Sequence, residues 1–514
     1  MKHFDCIIIG AGVVGCAVAR ALSLYDMSLG VIDRASDVAE GASKANSGLV
    51  HAGFDAPEGS LKAKFNVRGN EMFEPLCDAL GVKFKRNGAL VVAFSEEDVP
   101  KLYALLERGK RNGVENLSIL PREQLRRKEP NLSENAVAAL YAPSAGMVCP
   151  YGLTAALADF AAVNGASFLF EHKVQSVERI SDDTADCSSS RSAGGDGTAR
   201  FLIYTDKGDF TAGVLVNAAG VHSDEINNML SKEKLTITPR RGEYYMVDRA
   251  RDGLFESTVF STPTKVSKGI LVSPTVDGTL LIGPTAYEAE SKDDVSVTAK
   301  GLSSVFSAAK GICPSLSRRD LFAVFAGNRA SGDRGDFVMG EAADVPYFFN
   351  AAAVESPGLS ASPAIGEYLA DAVAQRIGAE KKPNHQLSAY EKPPLRFYDM
   401  AEAEREEAIK RDPNYAAVVC RCELVTEAEI RASIRRPVGA RSLDGVKKRT
   451  RAGMGRCQSG FCCPRVAEIL AEEMGVPIGE VTKSGGNSRI ITGSICSDAN
   501  GGGEETSGGG GALK

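Results

Sequence analysis

Two groups of residues have the types and the spacing for redox chemistry. Toward the C-terminus, Cys420-Arg421-Cys422 is followed by Cys457-Gln458-Ser459-Gly460-Phe461-Cys462, with Cys463 adjoining. Cysteines such as Cys6, Cys16, Cys77 and Cys149 are scattered singly, so the cluster reads as a metal or redox site and not as a disulfide framework. Four thiolates can hold two irons bridged by sulfides, each iron taking two of them. They can also hold one zinc, although zinc pairs more often show CxxC spacing. At the other end of the chain, Gly10-Ala11-Gly12-Val13-Val14-Gly15 directly follows the apolar run at 3–9 and opens a helical pattern over 12–25. In that setting Gly10 permits a tight turn, Gly12 lets the backbone approach a pyrophosphate, and Gly15 allows close helix–strand packing. The helix N-terminus then favours phosphate charge. Asp33 ends a second strand at 29–33, where an acid can bind ribose hydroxyls. The fingerprint implies a dinucleotide cofactor and does not separate FAD from NAD.

The elements that must position these groups follow from pattern and composition. At roughly 100–200 residues per domain, 514 residues suggest two to four domains. Hydrophobic residues make up 43% and charged residues 25%, as in a soluble globular protein. A formal net charge of -6 offers no basic field for nucleic acid. No apolar run approaches the ~20 residues of a membrane span. The N-terminus runs straight into the first strand without a signal-peptide pattern, so the expected location is the cytoplasm, with peripheral membrane association left open. Helices are expected over 101–112, with Leu102, Leu105 and Leu106 on one face, and over 153–164 and 364–377. Strand patterns recur from 200 to 290, and the polar stretch 181–199 reads as a solvated loop. Thr426 with Glu429 forms a capping-box pattern after the first cysteine pair, and Pro464 suits the first turn of a later helix.

Three further stretches carry a resemblance to a known superfamily. Gly41-Ala42-Ser43-Lys44-Ala45-Asn46-Ser47-Gly48 resembles the second flavin-contacting segment of D-amino-acid-oxidase-like flavoproteins. Val216-Asn217-Ala218-Ala219-Gly220-Val221-His222-Ser223 resembles their strand-to-turn motif at the adenine side of FAD, and the stretch from Ser356 to Ala364 their late flavin-closing motif. The resemblance implies FAD, held by Gly10, Gly12, Gly15, Asp33, Ser43, Asn46, Ser47, Gly48, Ala219, Gly220, Gly358, Leu359 and Ser360. Gly453-Met454-Gly455 lacks a strand–helix setting, so no separate NAD site is expected. The implied fold is α/β plus α+β: a Rossmann-type FAD-binding domain interleaved with a β-rich substrate domain, then a small helical Fe-S domain. The flavoprotein would occupy 1–380, with FAD-binding segments near 1–80, 145–225 and 325–380 and the substrate domain near 81–144 and 226–324. A linker and helix at 381–415, the cysteine unit at 416–483 and a flexible glycine-rich tail at 484–514 would follow.

Within that superfamily the stretches at 46–70, 239–249, 268–286 and 325–330 are similar to glycerol-3-phosphate dehydrogenases and oxidases, with L-2-hydroxyglutarate dehydrogenases close behind. These relatives oxidise a secondary alcohol beside an anionic group. The resemblance implies His51 as the base that takes the hydroxyl proton, Arg329 as a clamp on phosphate or carboxylate, and Lys268 as further positive charge. His222 is expected to pack near the distal half of the cofactor. The cysteine layout resembles the bacterioferritin-associated-ferredoxin-like [2Fe-2S] domain, with Cys420, Cys422, Cys457 and Cys462 as ligands and Arg449, Arg451 and Arg456 offsetting the cluster's charge. Two sites of this kind imply an electron path from a small anionic substrate through FAD and the cluster to a redox partner protein or quinone-linked subunits. The alternatives are an L-2-hydroxyglutarate or amine/imino-acid dehydrogenase, or a non-catalytic electron-transfer subunit.

Overall fold

The computed structural model describes residues 1–180, 198–262 and 269–493. Lys268, nearly all of the 181–199 stretch and the tail beyond 493 lie outside the described residues.

The N-terminal run HFDCIII forms the strand Lys2–Ile9 at the centre of an eight-stranded sheet. It pairs in parallel with Leu29–Ile32 on one side (Ile9 opposite Ile32) and with Phe210–Asn217 on the other (Ile9 opposite Asn217). Ser167–Leu169 and Val345–Ala352 extend the parallel layer at its two sides. These strands read as continuous apolar runs because both faces are covered. One face carries the helix Val13–Leu22, packed against Pro150–Val163 and Gly358–Ile377. Small residues set these contacts: a Cβ on Gly366 would stand 2.7 Å from the Ala17 carbonyl oxygen, so the two backbones nearly touch.

The second sheet has nine strands and is mostly antiparallel. Its longest ladder joins Ile237–Val247 to Leu321–Gly332, with Arg240 opposite Arg329. In the strand Ala89–Ala93, residues alternate between two cores. Ala89, Val91 and Ala93 pack with Leu102, Leu105 and Leu106 of the helix Val99–Arg111. Leu90 and Val92 pack with Val305, Ala309 and Ile312 of Ala299–Ile312. The 325–380 stretch therefore divides: Leu321–Gly332 belongs to this sheet, and Val338–Ala342 and Val345–Ala352 to the parallel one.

The C-terminal unit has its own apolar core, in which Ile430, Ile434, Val446, Val466 and Leu470 are all buried. A two-stranded ribbon, Val418–Cys420 with Val425–Thr426, leads into the helices Glu427–Arg435, Leu443–Thr450 and Cys463–Met474. The capping box forms: Thr426 Oγ1 donates to Glu429 Oε2 at 2.8 Å and accepts from the Glu429 N–H.

This unit docks on the flavoprotein through buried ion pairs. Arg449 forks onto both oxygens of Asp37 at 2.7 Å each, and Lys448 reaches Glu40. Arg436 meets Asp159 at 2.7 Å, and Arg451 bridges Asp277 and Glu423 at 2.9 and 2.7 Å. Arg456 pairs with Asp248 at 2.9 Å. Arg449, Arg451 and Arg456, expected from sequence to offset the cluster's charge, thus also bind the two units together. The Arg449 and Arg451 pairs are buried, where a desolvated carboxylate demands a partner, whereas the Arg456 pair lies at the exposed rim of the interface.

Candidate active site and cysteine centre

The ends of the parallel strands and one face of the antiparallel sheet enclose a cavity of about 740 Å³. The glycine fingerprint forms its far end. Gly10 adopts φ +110°, and a Cβ there would stand 2.4 Å from the Ala218 carbonyl oxygen. A Cβ on Gly15 would lie 1.9 Å from the Gly10 oxygen, so Gly15 serves helix packing and does not line the cavity. Asp33 accepts from the Ala11 and Ala35 N–H groups at 2.7 and 2.8 Å. Burial pushes its carboxyl up against those two donors, and each oxygen keeps accepting capacity toward the cavity. Ser43 Oγ accepts from the Val13 N–H at 2.9 Å, at the mouth of the helix where a pyrophosphate would lie. Ala219, Gly220, Gly358 and Leu359 also line the cavity. So does His222, which is bonded to Glu225 and Asp293.

Several expected contact residues shape the wall instead of offering free groups. Asn46 donates to the Ala42 and Ser43 carbonyls and accepts from the Gly48 N–H, folding the loop on itself. Gly48, at φ +66°, leaves the loop room: a Cβ would be 2.6 Å from the Val148 oxygen. Ser360 is fully buried, accepts from the His51 N–H at 2.7 Å and donates to the Leu49 carbonyl. It therefore positions the histidine. Ser47 lines the cavity.

His51 presents its ring to the cavity, stacked near Phe260 at 6.2 Å between centroids, with Nε2 3.5 Å from Ser356 Oγ. Across the cavity Arg329 donates to the Thr285 carbonyl at 3.3 Å. Gly242 makes room for it, since a Cβ there would stand 2.7 Å from Arg329 Nη2. Arg240, its ladder neighbour, lines the same cavity. Tyr244 sits beside Arg329; burial raises its hydroxyl and the guanidinium opposes that rise. Lys62 is held by Glu355 at 2.8 Å and by the Gly335 carbonyl, bracing the turn that carries Ser356. Arg240, Tyr244 and Lys62 were not singled out from sequence, and Ser356 entered only as the first residue of the 356–364 motif. Arg240 and Tyr244 lie within the 239–249 stretch, where their alternation along a strand was the available signal. Lys62 and Glu355 are too far apart in the chain for any local pattern to join them.

The cysteines gather in two contacting pairs. Cys420 and Cys462 are buried and hydrogen-bond each other, while exposed Cys422 meets half-buried Cys457. Among the described residues no group of three or more metal-ligating side chains is closed. The Cys462 thiol and the N–H groups of Gly453, Glu423 and Cys422 hold the Cys420 thiol down at about 6, against its burial. Four thiols with backbone N–H groups aimed at sulfur fit an Fe–S cluster, whose sulfurs take such bonds. Gly455 permits the fold of this loop, because a Cβ there would lie 2.3 Å from Cys422 Cβ. Cys463 begins the next helix. The loop also touches the flavoprotein: the Tyr151 hydroxyl donates to Met454 Sδ at 3.3 Å. Tyr151 follows the strand Gly146–Val148, which pairs with Leu49–Val50 just before His51.

The chain belongs to the FAD dependent oxidoreductase (DAO) family, whose model matches residues 5–372. A BFD-like [2Fe-2S] binding domain matches residues 418–472. The chain is 42% identical to a glycerol 3-phosphate dehydrogenase of Caloramator mitchellensis, over 95% of this chain and 98% of that one. It is 29% identical to a glycerol 3-phosphate oxidase of Mycoplasma genitalium, over 76% of this chain and all of that one. Among solved structures, the FAD-bound L-α-glycerophosphate oxidase of Mycoplasma pneumoniae superposes with a TM-score of 0.69 at 28% identity, covering 77% of this chain and 100% of that one. The protein is an FAD-dependent oxidoreductase that carries a [2Fe-2S] cluster, with the mixed α/β fold of the family. Among the described residues no helix is long and apolar enough to cross a membrane.

Proposed function

We propose that the protein oxidises glycerol 3-phosphate to dihydroxyacetone phosphate and passes the electrons through its cluster to a redox partner. The observation that carries this reading is the convergence of His51, Arg329 and Arg240 on the cavity that also holds the glycine fingerprint. Similarity across both modules to a protein named for that reaction supports the choice of substrate.

When bound, FAD supplies the hydride acceptor and the cluster supplies one-electron transfer. The fingerprint, Asp33 and Ser43 would hold the dinucleotide end. Arg329 fixes the substrate's phosphate, for which a planar fork of donors is suited, and Arg240 adds charge from the adjacent strand. Lys268 belongs to the same proposed set on the strength of its sequence context. His51 takes the hydroxyl proton at Nε2, with Ser356 orienting the ring and Ser360 fixing its backbone. Cys420, Cys422, Cys457 and Cys462 would ligate the cluster. A partner protein or quinone-linked subunit would receive the electrons. Cytoplasmic residence, peripheral to the membrane's inner face through such a partner, belongs to the same proposal.

Anaerobic addition of sn-glycerol 3-phosphate to the holoenzyme tests the substrate, with L-2-hydroxyglutarate in parallel. Flavin bleaching by the phosphate supports the reading; bleaching only by the hydroxy acid overturns it.

A further inference from the structure

The cluster's edge has an unusual surface. Phe461, the residue before the ligand Cys462, is 86% exposed. Leu424, two residues after Cys422, is 41% exposed and held at φ +50°, a left-handed conformation that leucine rarely adopts. The backbone there holds an apolar side chain out toward solvent. Cys422, two residues before Leu424, is itself exposed, whereas Cys420 and Cys462 are buried. The exposed thiol marks the side on which a cluster comes nearest to solvent.

An unpaired positive charge sits in the same loop. Arg421 separates the first two cysteines. Arg421 is exposed, and among the described residues no carboxylate pairs with it. The whole chain carries a formal net charge of -6. An exposed aromatic and an unpaired arginine flanking one functional group are the residue types that anchor protein interfaces.

We infer that the rim formed by Phe461, Leu424 and Arg421 is the docking face for an acidic carrier protein holding a one-electron centre. The inference rests on the reading that electrons leave through the cluster. In the transfer, the reduced cluster loses one electron and the carrier's oxidised centre gains it; no proton or bond is exchanged. Phe461 enters an apolar depression on the carrier and Arg421 meets its carboxylates, which steers the encounter and sets its salt dependence.

Two soluble haem carriers of opposite charge make the test: acidic cytochrome b5 and basic cytochrome c, each offered to holoenzyme reduced beforehand with a measured amount of dithionite. The wild type is expected to reduce the acidic carrier faster, at a rate that falls as salt is added. Arg421→Glu is expected to lower that rate roughly ten-fold at low salt and to favour the basic carrier. Phe461→Ser is expected to lower the rate to both carriers. Cluster absorbance per flavin, and reduction of a small dye by the flavin, should match the wild type in both variants. Equal rates for the two carriers, or variants that behave as the wild type, would overturn the inference. So would a rate to the acidic carrier that rises with salt, the behaviour of an apolar membrane-bound partner. Because dithionite supplies the electrons, failure of glycerol 3-phosphate to bleach the flavin would sink the substrate reading and leave this result standing.

Discussion

Arg449 on the cluster domain and Asp37 on the flavoprotein form a two-pronged pair, with both guanidinium nitrogens 2.7 Å from the two carboxylate oxygens. Both side chains are buried, at 7% and 3% exposure. Asp37 lies in the segment after the second parallel strand; the next residue but one, Ala39, donates its N–H to the Ala11 carbonyl of the glycine loop. Glu40, held by Lys448, lines the cavity itself. The cluster domain therefore braces the wall of the dinucleotide site from behind.

Replacing Arg449 with alanine leaves the Asp37 carboxylate buried and unpaired, a change that costs roughly 3–5 kcal/mol. The expected outcome is a lower unfolding midpoint and weaker FAD retention. Both are read by thermal unfolding monitored through flavin fluorescence. Unchanged FAD retention in Arg449→Ala would show that the brace does not reach the cofactor.

The same pair sets an acid limit. Burial alone would raise the Asp37 carboxyl, but Arg449 and Lys448 hold it below the ordinary carboxylate value. A group depressed in the folded state stabilises fully above its unfolded pKa of about 4 and loses that contribution as pH falls through the folded value. Domain docking should therefore be constant near neutrality and weaken below about pH 4. Urea unfolding of the wild type and of Asp37→Asn across this range checks it: the two stability curves should converge in acid and separate above it.

His51→Gln should slow substrate-driven flavin reduction by about 10²–10⁴-fold, the usual contribution of a positioned base. Chemical reduction by dithionite should be unaffected. Ser356→Ala should show a smaller loss in the same assay, since it removes an orienting contact and leaves the imidazole. Stopped-flow absorbance separates the two. Equal losses for both variants would point to a structural role for His51.

Gly242→Ala should act through Arg329. The added methyl would meet Nη2 at 2.7 Å and displace the guanidinium. The expected result is a raised KM for the phosphate substrate with the fold and flavin spectrum intact. Arg329→Lys, which keeps the charge and loses the fork, should also raise KM. A change in kcat alone would contradict the role of Arg329 as a substrate clamp.

What could be read from the chain before its fold was known depended on how local each constraint is. Gly10, Gly12 and Gly15 are legible because a strand, a turn and a helix within a few residues demand them. The Thr426–Glu429 capping box is legible for the same reason. The cysteines are legible because ligand type and spacing are themselves the chemistry. The ion-pair partners of Arg449, Arg451 and Arg456 were not, because Asp37, Asp277 and Asp248 lie 412, 174 and 208 residues away. Asn46 and Ser360 were placed in the right region, but their bonds go to the loop and to His51, which only the packed structure reveals. The neighbouring of Arg240 and Arg329 required the register of two strands far apart in sequence.

Substrate electrons should pass from the flavin to the cluster within one chain. The most direct measurement adds less than one equivalent of sn-glycerol 3-phosphate anaerobically to wild-type holoenzyme and to Cys457→Ser, following flavin absorbance and the paramagnetic signal of the reduced cluster. The wild type should develop the cluster signal as the flavin gives up one of its two electrons and its absorbance changes accordingly, while Cys457→Ser should bleach and stay fully reduced without that signal. A wild-type flavin that remains reduced beside an oxidised cluster would contradict it.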